Sequence, residues 1–522
     1  MKNIHYIIIV LLVFLTGTSC NHDLVNIDNP NEATNESFWQ TPEDAVAGVN
    51  ACYSSLYKEG TWMRWLSFRY DLTSDEGWSS SPWNELANWT HFNYANYNFY
   101  EGNRVHMEHF YRGIFRCNQV LKYVPEITFT TNQQRQESIL AEAKFLRALW
   151  YFQVVLLWEK GSLVTEPVDA SYTPTESSSD QFYAQIEKDL KEATTALPEI
   201  WNGPDRGRAT QGAARALLAK VYMQQKKYDL AKTELQWLVS KEGSLYGLTP
   251  DWIDNFTHLK ENNIESIFEI QFNDANKGGT GNDASMATGF QRTQFYAPGG
   301  IGWGDGKARQ WLVDEFKKEK RLDGKNDIRL YHSILYEGFL DDFPEGDPNY
   351  YYIDTRTAWE PRGWRGSCFI RKYNTSYFRQ REDYFAPNNY RVMRYADILL
   401  NYAECIVKTG GTPAEAVVHV NKVRERVNLP KLENSIFKDA MNSSDAFMKR
   451  LQMERTLELC FEGWRWADLK RWGLLDTQEG INELKLRDPD FNNFVIGKHN
   501  RLPMPQLEID NSMGGLTQNP MY

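Results

Sequence analysis

The sequence predicts a mainly α protein, one globular unit in which a loop-rich insert with short strands interrupts a helical scaffold. Three observations predict it. Apolar residues recur at helical spacing in long blocks on both sides of the chain's middle. Glycine and proline stand where those blocks should stop or start. Residues 240–389 lose the periodicity and fill with Gly, Asn, Asp and aromatic side chains.

The chain opens MKNIHYIIIVLLVFLTGTSC, a lysine near the start, an apolar run from Ile7 to Leu15, then small residues ending at Cys20. Nine apolar residues are too few to span a bilayer, so residues 1–19 read as a secretory signal peptide. Cys20 directly after the small residues resembles the lipobox of bacterial lipoproteins, whose thiol is acylated, although Gly17 stands where leucine is usual. The other reading is ordinary cleavage beside a bystander cysteine. Several acyl chains, at about 0.8 kcal/mol per buried methylene, would hold the mature protein on a membrane.

Next comes SDEGWSSSPWNELANWTHFNY (74–94), where Trp78, Trp83 and Trp89 are separated by five and six residues. Neither helical nor strand spacing fits, and Pro82 interrupts any helix running through. Either the segment folds back and buries all three, or some are displayed to a ligand.

From 139 to 157 the positions Ile139, Ala143, Leu146, Trp150, Val154 and Leu157 share one helical face. The end of that helix is apolar nearly all round, so other helices must enclose it. In 208–239, Thr210 is the expected N-cap of an Ala-rich helix, and Tyr228 and Ala231 enter a second after a short turn. The pair resembles a tetratricopeptide repeat. The scaffold, taken as roughly 35–239 and 390–475, resumes with a second helical pair at 394–427. Gly410 and Gly411 stop its first helix and Pro413 opens its second. A further helix is expected around 454–473.

Composition narrows the partners. A net charge of −11 argues against nucleic acid and against an anionic membrane surface. Cys52, Cys117, Cys368, Cys405 and Cys460 are scattered, odd in number and without a CxxC pair, so neither a disulfide framework nor a zinc site is indicated. Aromatic residues make up 14% of the chain, with 18 Trp and 28 Tyr, which suits a ligand with apolar faces and a polar rim.

Catalytic motifs are lacking. GGIGWGDGKAR (299–309) looks like a phosphate loop, but Ile301 replaces its first glycine and Ala308 its magnesium-binding hydroxyl. His106 and His109 could share a helical face, yet no HExxH or third ligand accompanies them. LDDFPEGDP (340–348) offers Asp341, Asp342, Glu345 and Asp347 to Ca²⁺ without EF-hand spacing. No GxSxG elbow occurs, and a glycosidase's two carboxylates cannot be picked out among 69 acidic residues.

Several blocks, in order, resemble the SusD/RagB family of outer-membrane lipoproteins of Bacteroidetes. They are CNHDLVNIDNPNEATNESFWQTPEDAVAGVNACYSSLY, YRGIFRCNQVL, AEAKFLRALWYFQVVLLW, GRATQGAARALLAKVYM, RYADILLNYAEC, ERTLELCFEGWRWADLKRWG and RLPMPQLEIDNSMGGLTQNPMY. The resemblance covers residues 20–522. It implies a lipid-anchored, surface-exposed protein that binds oligo- or polysaccharide without cleaving it and caps a SusC-like TonB-dependent transporter. No cofactor is expected, with Ca²⁺ at the acidic run the one metal left open. Tetratricopeptide-like helices would dock on the transporter while loops on the opposite side hold glycan.

An indole face suits the apolar C–H face of a sugar ring, and polar neighbours take the hydroxyls. The expected glycan contacts are therefore Trp78, Trp83, Trp89 and Asp75 from the first loop, and Tyr296 and Trp303 from the insert. Trp364 is a weaker choice. Trp150, Trp158, Trp464, Trp466 and Trp472 lie in helical blocks and are assigned to packing. The competing classes are a glycan-cleaving enzyme and a helical-repeat scaffold that binds only protein.

Overall fold

The computed structural model describes residues 38–94, 103–130, 132–275, 288–338 and 364–522. The signal peptide, Cys20 and the acidic run at 340–348 lie outside the described residues.

The chain is mainly helical, as its periodicity predicts. Thr41 caps α1 (Pro42–Ser54) in a reciprocal box with Asp44. Then come α2 (Trp65–Leu72), α3 (Asn84–Thr90) and α4 (Val105–Tyr123), followed by α5 (Gln133–Trp158), with every residue from Phe145 to Trp158 buried. Helices α1, α4, α6 (Ser179–Ala196) and α7 (Gln211–Gln224) pack on α5 and supply the enclosure that its all-round apolar surface demands. Thr210 caps α7 by accepting from the Ala213 N–H at 3.1 Å, and α8 (Tyr228–Ser240) folds back on it.

Within the insert lie α9 (Arg292–Tyr296), α10 (Gln310–Lys317) and α11 (Ile328–Ser333). The second tetratricopeptide-like pair follows, α12 (Tyr395–Lys408) and α13 (Pro413–Arg426), the latter boxed by Thr412 and Glu415. Helix α12 packs directly against α8. The stack of helix pairs therefore runs on as if the insert were absent.

The helix expected at 454–473 is two helices, α14 (Ser444–Leu459) and α15 (Arg465–Arg471). Phe461 and Gly463 between them adopt φ of 60° and 75°, left-handed values that no helix continues through. Trp150, Trp158, Trp464 and Trp466 are in the core as expected, and Trp472 is partly covered.

Strands are short: β1 (Gly77–Trp78), β2 (Lys160–Gly161), β3 (Ser177–Ser178), β4 (Ser266–Ile270), β5 (Lys307–Ala308), β6 (Ile334–Leu335), β7 (Phe369–Ile370) and β8 (Tyr390–Arg394). One antiparallel sheet has the order β1-β5-β7-β6, so a strand of the first loop is sewn onto three strands of the insert. Among the described residues no helix is long and apolar enough to cross a membrane.

Candidate functional site

The pairing of β1 with β5, Gly77 opposite Ala308 and Trp78 opposite Lys307, brings the two predicted loops together. A side chain at Gly77 would meet the Asp71 carbonyl at 2.8 Å, so only glycine lets the strand pass that close. Beyond β1 the serines hold the backbone. Ser79 N–H donates to Thr90 Oγ1 at 3.0 Å, Ser81 N–H to Ser79 Oγ at 3.1 Å, and Trp83 N–H to Ser81 Oγ at 3.0 Å. These are successive serine turns, and they set Trp83, half-buried, just ahead of α3.

The insert loop after α9 is bonded to its own stem. The N–H groups of Trp303, Gly304 and Asp305 donate to the carbonyls of Gln294, Ala297 and Phe295, each at 2.8 Å. Gly304 has φ of +69°, and a Cβ at Gly302 would stand 2.4 Å from the Gln294 carbonyl. The turn leaves Trp303 48% exposed, the most open tryptophan among the described residues. A Cβ at Gly306 would lie 2.2 Å from the Tyr296 ring. Gly306→Ala should therefore shift the loop and cost about 1–3 kcal/mol, read by denaturation.

Trp83 and Trp303 share one floor. Trp65 is edge-on to Trp83 with centroids 4.9 Å apart and 5.4 Å from Phe295, which is edge-on to Trp303 at 4.8 Å. Tyr384 closes the group, 5.4 Å from Trp303 and 5.8 Å from Phe295. The Arg64 guanidinium lies over Trp65, Phe295 and Tyr384 at 5.2–5.5 Å. Asp305 is buried near the Ser81 hydroxyl; burial raises its carboxyl above the usual range and that hydroxyl pulls the other way. Asp305 follows Trp303 by two residues in the same turn, and its charge raises the Tyr384 hydroxyl. On the outer flank Lys307 Nζ donates to Ser80 Oγ at 3.0 Å and lies 4.8 Å over the Trp78 ring. Trp78 is half-buried, with its Nε1 donating to the Ala308 carbonyl at 3.2 Å. The result is an exposed indole, a second indole and a phenol around a hydroxyl acceptor.

Three expected contacts are in the wrong place. Asp75 is fully buried and bonded to Arg465 at 2.6 and 2.7 Å and to Arg487 at 3.2 Å, so it serves as an internal ion pair. Trp89 is 1% exposed because Pro82 precedes a helix rather than a loop, and α3 turns that ring inward under Arg69 at 4.1 Å. Tyr296 is fully buried, and its hydroxyl donates to Asp71 Oδ2 at 2.7 Å. Trp364 is buried too, its Nε1 donating to the Gly299 carbonyl beneath the loop. Asp305 and Lys307 lie in the glycine-rich run, where nothing in their spacing singles them out. Tyr384 had no signal beyond the aromatic density of YNTSYFRQREDYFAPNNY.

His106 and His109 grip a backbone instead of a metal. His106 Nδ1–H donates to the Gly60 carbonyl at 2.7 Å, and the Gly60 N–H donates to His109 Nδ1 at 3.0 Å. Burial holds both imidazoles down at about 3, so both are neutral. Among the described residues no three His, Cys, Asp or Glu side chains gather as metal ligands.

Comparison with known proteins places the chain, by sequence and by fold, in a lineage. A family model described as the SusD family matches residues 264–522, and another, described as starch-binding associating with outer membrane, matches residues 26–223. SusD-like protein P38 of Formosa agariphila is 27% identical over 489 residues, covering 90% of this chain and 91% of its own. The crystal structure of a SusD superfamily protein from Bacteroides vulgatus superposes with a TM-score of 0.78 at 25% identity, covering 93% of this chain and 100% of that one. A laminarin binding SusD-like protein gives a TM-score of 0.72 at 27% identity, covering 92% and 100%.

Proposed function

The chain belongs to the SusD/RagB family, and from that premise we propose that it captures an oligo- or polysaccharide in the Trp83–Trp303–Tyr384 cleft and delivers it to a SusC-like TonB-dependent outer-membrane transporter. The observation that carries the reading is Trp303, an indole held half open on a rigid glycine turn beside a buried carboxylate. That indole, with the Tyr384 ring 5.4 Å away, offers an apolar face of the kind a sugar ring covers. Sugar stacking covers it, and Asp305 with the serine hydroxyls takes the polar rim. A laminarin binding relative of the same fold supports the choice of glycan over peptide.

Stacking one pyranose removes on the order of 100 Å² of apolar surface, or roughly 2–3 kcal/mol per platform. Association costs roughly 4–15 kcal/mol, so affinity should lie between about micromolar and millimolar. That is weak enough to release cargo. The test is retardation of the purified protein in gels containing laminarin, starch, xylan or mannan. Retardation by none of these, and no calorimetric heat with their oligomers, would sink the reading in favour of a protein-binding scaffold.

Anchoring has its own test. In this reading Cys20 is acylated and the mature protein is held on the outer membrane facing outward. Cys20→Ala should move the protein from the membrane to the soluble fraction in cells lacking the transporter. Retention on the membrane in that background would overturn the lipid anchor.

A further inference from the structure

The site holds a carboxylate for which no ion pair occurs among the described residues. Asp305 is 8% exposed, burial raises its carboxyl, and the one group found to lower it is the Ser81 hydroxyl. The nearby cations are engaged elsewhere. Arg64 Nε donates to Gln291 Oε1 at 2.7 Å, Arg64 pairs with Glu59 at 3.3 Å, and its plane is stacked among aromatic rings. Lys307 donates to Ser80 and covers Trp78 on the outer flank. Other charged pairs of the region are closed, Arg379 with Asp383 at 2.6 Å and Arg309 with Asp488 at 2.6 Å. A buried carboxylate with one hydroxyl nearby and no ion pair among the described residues has room for further donors, since an ionised carboxylate has roughly four lone-pair sites to fill. Sugar hydroxyls are donors of the right kind, and water is the alternative only while the cleft is empty.

We propose that Asp305 makes the cleft selective for uncharged glycans, accepting hydroxyl protons from a sugar seated on Trp303 and Tyr384 and repelling a sulfate or carboxylate carried there. The inference rests on the glycan reading of this cleft and adds the charge class of the ligand. A neutral ring brings O–H donors that fill the empty acceptor positions. An anionic substituent removes one donor and sets two like charges some 5–6 Å apart in a region of low dielectric. At an effective dielectric near 20 that repulsion weakens binding on the order of a hundredfold. Lys307 forms no ion pair with Asp305 among the described residues, its ammonium being bonded to Ser80 and set over the Trp78 ring.

The experiment compares laminarin, starch, xylan and mannan oligomers with their chemically sulfated forms, by calorimetry in about 0.5 M salt, where surface charge is screened within several ångströms. The wild-type protein should bind at least one neutral oligomer and its sulfated form on the order of a hundredfold more weakly. Asp305→Asn should lose about tenfold for the neutral oligomer and narrow the gap to less than tenfold. Asp251→Asn, an exposed carboxylate outside the cleft, should leave both affinities unchanged and so controls for net charge. Equal binding of neutral and sulfated forms by the wild type overturns the inference while leaving the glycan reading in place. So does an unchanged ratio in Asp305→Asn, or a ratio that responds to Lys307→Gln instead. Binding of neither form overturns both.

Discussion

Glu458→Ala is expected to lower the unfolding free energy by about 3–5 kcal/mol, more than most substitutions elsewhere in the molecule. The Glu458 carboxylate is fully buried. It accepts from Arg394 at 2.6 Å, from Arg329 at 2.9 Å, from Arg426, and from Trp252 Nε1 at 3.0 Å. Arg394 in turn bonds Glu265 and Glu462, both at 2.8 Å, and Arg329 bonds Asp327. Removing the one carboxylate would leave three guanidinium groups each short of a shared partner in the interior, where water cannot take its place. Urea denaturation measures the loss, and a midpoint within error of wild type would show that the network is dispensable.

The same network sets an acid limit. Burial alone would raise the Glu265 and Glu454 carboxyls, but the surrounding arginines more than reverse it and hold each at about 2. Glu458 is pushed down in the same way. A carboxylate depressed from an unfolded value near 4.3 contributes stability that is complete above that value and lost as the pH falls through the folded one. His106 and His109, held neutral at about 3, act in the same direction from higher pH, because the unfolded chain takes up their protons below about 6.5. Stability should therefore fall from pH 6.5 to 4 through the histidines and more steeply from 4 to 2 through the glutamates.

Trp303→Ala should behave oppositely to Glu458→Ala. Affinity for a neutral oligosaccharide falls about thirty- to a hundredfold, the equivalent of roughly 2–3 kcal/mol of stacking, while the urea midpoint barely moves. The half-open ring has much less burial to lose than a core tryptophan. Trp89→Ala is the contrast: that ring is 1% exposed, and its removal should cost about 3–5 kcal/mol of stability and leave the surviving protein binding normally. Calorimetry beside denaturation for both variants decides it. Normal glycan binding by Trp303→Ala would remove the platform from the site.

The scaffold was legible because helical burial writes a 3.6-residue period that survives any tertiary arrangement. Thr210, Gly410 and Pro413 marked true boundaries for local reasons that need no knowledge of neighbours. The break after Leu459 was not marked, since Cys460–Trp464 has no proline and its one glycine can sit inside a helix. In the site, the sequence located the two loops and not the faces. Trp83 and Trp89 stand in the same segment, yet one borders the cleft and the other fills the core, because α3 begins between them. Asp75 and Asp305 are both acidic residues beside tryptophans. Only the long-range pairing of one with Arg465, 390 positions away, separates an internal ion pair from a ligand group.

The direct packing of α12 on α8 also fixes an order of events when the chain first folds. Helix α8 turns Ala231, Leu235 and Leu238 toward neighbours that include α12, which is made only after roughly 150 further residues have emerged. Joining the ends of such a length costs about 4–5 kcal/mol of chain entropy before any contact is gained. Until that closure the first half of the stack must wait with an apolar flank open to water. A chain cut short before residue 395 should therefore be sticky rather than merely incomplete, and aggregation of such a fragment would expose the moment at which the folding chain is most vulnerable.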